Sequence, residues 1–525
     1  MLDVLIKHGL IVDGTGNPGF FGAVGVQGDT IHVFRNDVSN SEAAQTIDAS
    51  GKVVCPGFID VHAHSGLMIL AEPEHHPKVR QGITTELIGV DGKSYAPFPS
   101  HRDFLAFMEL NSGLEGSPEL PGTWSSVSEY LSMFDSKVAV NIAYIIGNAP
   151  LRISTVGWNE RPADEAELSN MRAMLREGME EGAFGLSTGL DYPPGSYANT
   201  DELVGLAQEA ARYGGIYHTH LRNKLGDTFL DPVKEALEIG QRAEIPCHLT
   251  HFYQKMTHSG SAKRLLELVD FAAQTQDVTM DCFPYAYSST RLLILIPEWA
   301  FDGGPEKVKE VMRSSVGRER LRKEILPRSG SFTELMLTNF KRPHNQRFEG
   351  KSLAEIADKM EKGAVDAICD LLLDENLGIS YVSPGPSLTT LPAFMTHPRT
   401  MIGTDAVLLG KYPNPRTYGT FPTVLSDYVR EEGSMTLEEA VRKMTSMAAL
   451  RLDIRDRGML RDGMKADIVV FDPKTVTSPS TRHDPKQFPV GIDYVFVNGA
   501  AVVAQGEHTG AIPGRALRHG NAYRN

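Results

Sequence analysis

The chain has 525 residues, more than one ordinary domain needs, and its 41% apolar and 22% charged content supplies enough apolar surface for a large core. A net charge of −14 counts against a nucleic-acid partner, because proteins that bind the phosphate backbone concentrate lysine and arginine. No run reaches the roughly 18 consecutive apolar residues of a membrane span, and the N-terminus, Met1-Leu2-Asp3-Val4-Leu5-Ile6-Lys7-His8, lacks the apolar run and cleavage site of a signal peptide. Four cysteines, Cys55, Cys247, Cys282 and Cys369, lie scattered without C-x-x-C spacing and imply a reduced compartment. The expectation is a cytoplasmic protein acting on a small molecule, with no nucleic-acid or membrane partner and with a homo-oligomer left open.

Residues up to about Val54 alternate short apolar runs with turn clusters such as Asp13-Gly14-Thr15-Gly16-Asn17-Pro18, which predicts antiparallel β structure. The far end matches it, with Ala466 to Pro473 and Tyr494 to Gly499 reading as strands closed by turns. Neither end has enough strands for its own core. Both are therefore placed in one small β-sandwich, residues 1–55 and 455–525, flanking a central domain over 56–454.

In that centre, apolar strand-like runs alternate with helical patterns, the signature of a parallel sheet wound by helices. Eight strands are expected: Gly57 to His64, Ile83 to Gly89, Val138 to Gly147, Ala183 to Thr188, Gly215 to His220, Pro246 to His251, Val278 to Pro284 and Thr400 to Asp405. Thr200 is expected to cap a helix stopped at Gly214, and Thr436 with Glu439 forms a capping-box pattern. Eight βα units predict an α/β fold, a closed (β/α)8 TIM-like barrel. The stretch from about 291 to 399 is too long for a βα connection. It is read as an insertion before the last strand, with helices such as Pro305 to Arg313 and Ser352 to Glu361, serving either as a lid or as a structural addition.

The chemistry gathers at strand ends. His62 and His64 are separated by one residue, so they face the same way at the end of the first strand. An isolated His-x-His is weak evidence. It gains weight because Asp91 follows the second strand, His220 ends the fifth, His251 the sixth and Asp405 the eighth, and the C-terminal strand ends of a parallel barrel meet around one mouth. Histidine and carboxylate donors suit one or two zinc ions, with manganese or another divalent metal as the alternative.

These stretches resemble the amidohydrolase superfamily and, within it, the N-acyl-D-amino-acid deacylases. The resemblance rests on Pro56 to His64, Gly82-Ile83-Thr84-Thr85, Gly185 to Pro194, Tyr217 to Asn223, Asp281 to Tyr285 and Pro415 to Pro422. It implies hydrolysis of the amide of an N-acyl-D-amino acid by metal-activated water. His220 and His251 would hold the tighter metal, His62 and His64 would face a weaker position, and Asp405 would be the general acid/base. Tyr192, Tyr285 and Ser289 match pocket positions of that family. Four departures stand out: Ser65 where the family has an acid, Asn148 where it has a histidine, Tyr253 where it has a lysine, and Asp91 where it has a metal-bridging cysteine. A carboxylate in that place favours harder ions or a two-metal site bridged by Asp91; the other reading of Asp91-Gly92 is an ordinary turn pair.

Arg291 is the candidate clamp for a substrate carboxylate, with Arg222 and Arg416 as rivals, and a structural salt bridge is the alternative for each. A cyclic-amide hydrolase of the hydantoinase or dihydroorotase kind is the runner-up. Such relatives generally take a carboxylated lysine from the fourth strand, where this chain has Ser187-Thr188. A non-catalytic scaffold is the third reading, against which stands the retention of His62, His64, His220, His251 and Asp405.

Overall fold

Strand Val53–Pro56, buried at all four positions, joins the two ends of the chain. It runs parallel to Leu2–Ile11 on one side and antiparallel to Ile468–Phe471 on the other. In this computed structural model, which describes residues 1–35, 42–223, 227, 229–255, 260–328 and 332–520, both chain ends therefore share a single nine-stranded sheet. Ile6, Val24, Val54, Ile468 and Phe496 form a separate core against it. Turning out of that sheet at Gly57, the chain enters the barrel directly.

All eight expected barrel strands are present. Phe58–Asp60, Ile83–Ile88 and Asn141–Tyr144 pair in parallel; the third strand is interrupted and resumes as Ile146–Gly147, after which Gly185–Gly189, Ile216–His220, Cys247–Leu249, Val278–Cys282 and Thr400–Ile402 continue the parallel order. The ring is closed where the last strand meets the first, through the Ala63 to Ala406 bridge and a 2.9 Å hydrogen bond from Asp405 N to His62 O. The strands are buried along their length, and several carry polar residues such as Glu86, Thr188, His218 and Asp281 into the interior. Helix Thr200–Ala211 is capped one residue earlier than expected, by Asn199, whose side chain accepts from Glu202 N. Thr436 caps Leu437–Met444 through Glu439 N, whereas the Glu439 carboxylate pairs with Arg442 rather than closing the box.

Between the seventh and eighth strands lies the insertion. Its central strand Ser380–Pro384 pairs antiparallel with Tyr287–Arg291 and Met336–Thr338, and Pro305–Arg313, Ser315–Arg328, Leu353–Lys359 and Ala364–Asp374 are its longer helices. Leu292, Val308, Met312, Leu337, Ile368 and Leu372 give it a core of its own. The insertion thus begins inside Tyr287–Arg291, slightly before the boundary expected from sequence. Its inner face closes over the C-terminal ends of the barrel strands and forms one wall of the cavity described below.

Candidate metal centre

The end of the first strand is pinned from beneath. Asp60 accepts from His62 N and Thr404 N and pairs with Lys78 Nζ at 2.6 Å, while Lys78 reaches Glu86 at 2.7 Å. A buried ammonium is tolerable only with such partners. Ser65, the first departure, donates to Glu86 Oε2, so a carboxylate from the second strand lies beside the position where the family carries one in the first.

Above this floor His62, His64, Asp91, His220, His251 and Asp405 converge, as expected. The two Asp91 oxygens serve four imidazoles: Oδ1 lies 3.6 Å from His62 Nε2, and Oδ2 lies 3.7 Å from His64 Nε2, 3.5 Å from His220 Nδ1 and 3.8 Å from His251 Nε2. Asp405 Oδ1 stands 3.2 Å from His64 Nε2 and 3.6 Å from His62 Nε2. Donor atoms at these separations suit divalent ions bound at about 2.0–2.2 Å. Two triads share Asp91, His62 with His64 and Asp91, and Asp91 with His220 and His251, and a third, His62 with His218 and Asp281, lies beneath them. His62 Nε2 is buried and without a hydrogen-bond partner among the described residues, which is costly for a polar atom unless a ligand takes it. The donor set therefore fits a metal.

Three of the six candidate ligands adopt left-handed backbone conformations, Asp91 at φ 55°, His251 at 33° and Asp405 at 46°. Few residues other than glycine do so. Such strain collects at functional sites, where it aims side chains that regular strand geometry would send elsewhere. Gly92, at φ 69°, has no room for a Cβ, which would lie 2.6 Å from Asn148 Oδ1 and 2.7 Å from Gly189 N. The tight turn it permits brings Asp91 back over the mouth.

Behind three of the four imidazoles, those of His62, His64 and His220, stands a carboxylate that fixes the ring and its tautomer. Asp281 Oδ2 is 3.3 Å from His62 Nδ1, Glu115 Oε1 is 2.5 Å from His64 Nδ1, and Asp191 Oδ2 is 3.1 Å from His220 Nε2. Asp281 Oδ1 also accepts from His251 N at 2.9 Å. Against the cost of burial, Asp281 and Asp91 raise His62 well above the ordinary histidine range. Burial lowers His251, helped by His220. Asp91 is held well below the carboxylate range despite burial, chiefly by His62 and Lys93. Lys93 is itself buried, with Nζ 3.9 Å from Asp91 Oδ2 and 3.2 Å above the Tyr192 ring, and burial brings its ammonium down to about 8. Asp405 is depressed as well, burial notwithstanding, by Arg416 and by His64 and His62.

The site opens into a cavity of about 620 Å³. Tyr192 and Ser289, expected substrate contacts, are on its wall, and so is Tyr253, whose hydroxyl is 3.0 Å from Ser288 Oγ. Tyr285 is off the wall, bonded through its hydroxyl to Thr423 at 2.9 Å. Arg291 requires correction. Its side chain is buried and off the cavity wall, behind Tyr192, with Cζ 5.2 Å from that ring's centroid; its Nη1 donates to Leu110 O at 2.7 Å and to Asn111 Oδ1, which ties the insertion to helix His101–Asn111 and holds the guanidinium back from the cavity. Arg222 is likewise engaged, with Glu235, Ser196 O and Ala198 O, and Arg416 holds Asp405.

Several groups that support the site are not singled out by the sequence pattern. Asp281 and Asp191 sit inside motifs, in the runs Asp281 to Tyr285 and Gly185 to Pro194, and their position at strand ends was a usable signal. Glu115 is in an irregular stretch after helix His101–Asn111 and had none. His218 and His248, stacked with ring centroids 4.7 Å apart under the site, point inward because alternate strand residues share a face.

Comparison with known proteins agrees with this geometry. The amidohydrolase family model matches residues 45–284 and 376–503. The chain belongs to the amidohydrolase family. It is 34% identical to the N-acyl-D-aspartate deacylase of Alcaligenes xylosoxydans xylosoxydans over 99% of this chain and 96% of that protein, and 33% identical to the D-aminoacylase of the same organism over 98% and 97%. Its fold superposes with a TM-score of 0.83 on the N-acyl-D-glutamate deacylase from Bordetella bronchiseptica, solved with zinc and a phosphonate that mimics the tetrahedral intermediate, at 32% identity over 98% of this chain and 99% of that one. Among the described residues no helix is long and apolar enough to cross a membrane.

Proposed function

We propose that this protein is a zinc-dependent deacylase that hydrolyses the amide bond of N-acyl-D-amino acids, with Asp405 as general acid/base. The observation that carries the reading is the placing of Asp405 Oδ1 within 3.6 Å of two ligand imidazoles at the wall of the substrate cavity. The names of the full-length relatives support the substrate class. One ion would be held by His62, His64, Asp91 and Asp405, and a second by Asp91, His220 and His251. A bound divalent ion supplies Lewis-acid polarisation of the carbonyl and acidifies water.

The chain's own groups do the remaining work. Asp405 Oδ1 takes a proton from the attacking water as the new C–O bond forms, and the same carboxyl then gives that proton to the amide nitrogen as the C–N bond breaks. Arg416, 2.8 Å from Asp405 Oδ2, fixes the carboxyl so that its other oxygen faces the reaction. Tyr192 and Ser289 line the space for substrate. The test is to incubate metal-loaded protein with N-acyl-D- and N-acyl-L-amino acids, dipeptides and cyclic imides and assay free amine. Release from the D-acids alone is the expected result. Turnover of cyclic imides alone would replace this reading with the cyclic-amide one.

A further inference from the structure

We propose that Lys255 is the residue that binds the carboxylate of the substrate and so determines specificity for free N-acyl-amino acids. The assignment rests on the deacylase reading above. Lys255 lies on the cavity wall together with His220, His251 and Asp191. Its backbone is pinned on both sides: Lys255 bridges to Pro386, Gln254 O accepts from Ser387 N at 3.1 Å, and Gln254 Oε1 accepts from Ala262 N at 2.9 Å. The side chain therefore starts from a fixed point beside the metal ligands.

Among the described residues no hydrogen bond or ion pair engages its ammonium. Asp191, the acid whose field reaches it, is already committed to His220 Nε2 at 3.1 Å, Asn223 N at 3.0 Å and Asn223 Nδ2 at 2.8 Å. The other candidate cations are engaged elsewhere: Arg222 with Glu235, Arg291 with Asn111, and Arg416, off the cavity wall, with Asp405 and Ser289. Lys255 is half-buried on the cavity wall, and an ammonium there without a counter-ion is better satisfied by an anionic ligand in the cavity than by a partly apolar wall. Leu265 and Val233 line the cavity with Lys255, so the carboxylate would be gripped at one point and the rest of the ligand laid on apolar wall.

The experiment uses full-length, metal-loaded wild type, Lys255→Met and Lys255→Arg, with the N-acetyl derivatives of D-leucine, D-aspartate and D-glutamate and their α-carboxamides. Thermal denaturation and metal content of each variant are measured alongside. In Lys255→Met, KM for the free acids should rise at least 10-fold with no matching rise for the carboxamides, and Lys255→Arg should recover most of the difference. Equal losses on acids and carboxamides, or an unaltered KM for the acids, would overturn the assignment and leave the deacylase reading standing. A folded, metal-loaded wild type that releases amine from none of the acids would overturn that reading and this assignment with it.

Discussion

The Arg416 guanidinium lies 2.8 Å from Asp405 Oδ2, and Asp405 Oδ1 faces His64 Nε2 at 3.2 Å. One carboxylate is thus shared between a permanent cation and the candidate metal ligands, so its two oxygens have different tasks. Replacing Asp405 by Asn keeps the shape and removes the proton shuttle. Turnover should fall by about 100-fold to 10,000-fold, with thermal unfolding close to wild type. Near-normal activity in Asp405→Asn would remove this residue from the mechanism.

Arg416 is expected to set the acid side of the pH profile. It is the largest attraction holding the Asp405 carboxyl below its usual range, and catalysis needs that group ionised to accept a proton. Without the guanidinium the carboxyl titrates higher, so the proton-accepting form is lost at a higher pH as the solution is acidified. The acid limb of kcat/KM in Arg416→Met should move upward in pH; an unmoved limb would mean that Arg416 does not set the state of Asp405.

Arg291 now leads to a stability prediction rather than a binding one. Arg291→Ala leaves the buried Leu110 O and Asn111 Oδ1 without their donor, at about 1–3 kcal/mol for unsatisfied polar groups. A lowered midpoint of thermal unfolding is expected, with KM changing alike for free acids and amides. A selective loss on the acids would restore Arg291 as a substrate clamp.

Metal uptake should release protons. Glu115 raises His64, and Asp191 with Asp91 raises His220, in both cases against burial, as Asp281 and Asp91 raise His62. The metal-free protein therefore retains protons on these imidazoles to a higher pH than free histidine would. A cation must displace them, so its apparent affinity should increase as pH rises through that range. Calorimetric titration of zinc in buffers of different ionisation enthalpy reads the proton count directly. Zero release would show that the imidazoles are already neutral.

How far the sequence foretold this site follows from what strand geometry conveys. The eight barrel strands were legible because each is a short apolar run bounded by turns, and the ligands were legible because alternation puts His62 and His64 on one face. Arg291 misled because the sequence places it at the end of a strand near the mouth but does not say which way a long guanidinium bends, and here Asn111 captures it. Glu115 was invisible, since an irregular connection has no periodicity to mark an inward side chain. Asn199 took the cap expected of Thr200 because both are good capping residues and boundaries slip by one residue without altering the apolar face.

Asp91 is expected to set how many metals the centre holds. Its carboxylate is the geometric hub, with its two oxygens 3.5–3.8 Å from imidazole nitrogens of His62, His64, His220 and His251, and it belongs to two of the three candidate triads. A carboxylate has two oxygens and harder donor character than a thiolate, so it bridges two ions and accepts manganese as well as zinc. If Asp91 only shaped the turn before Gly92, Asp91→Ala would retain the wild-type metal content. As a bridge, its removal takes a donor from both positions at once and leaves Lys93 buried without its nearest acid. Metal content after dialysis and reloading should fall in Asp91→Ala, with activity falling in step, and Asp91→Cys should recover zinc in preference to manganese. Unchanged stoichiometry and activity in Asp91→Ala would reduce the centre to four histidines and Asp405.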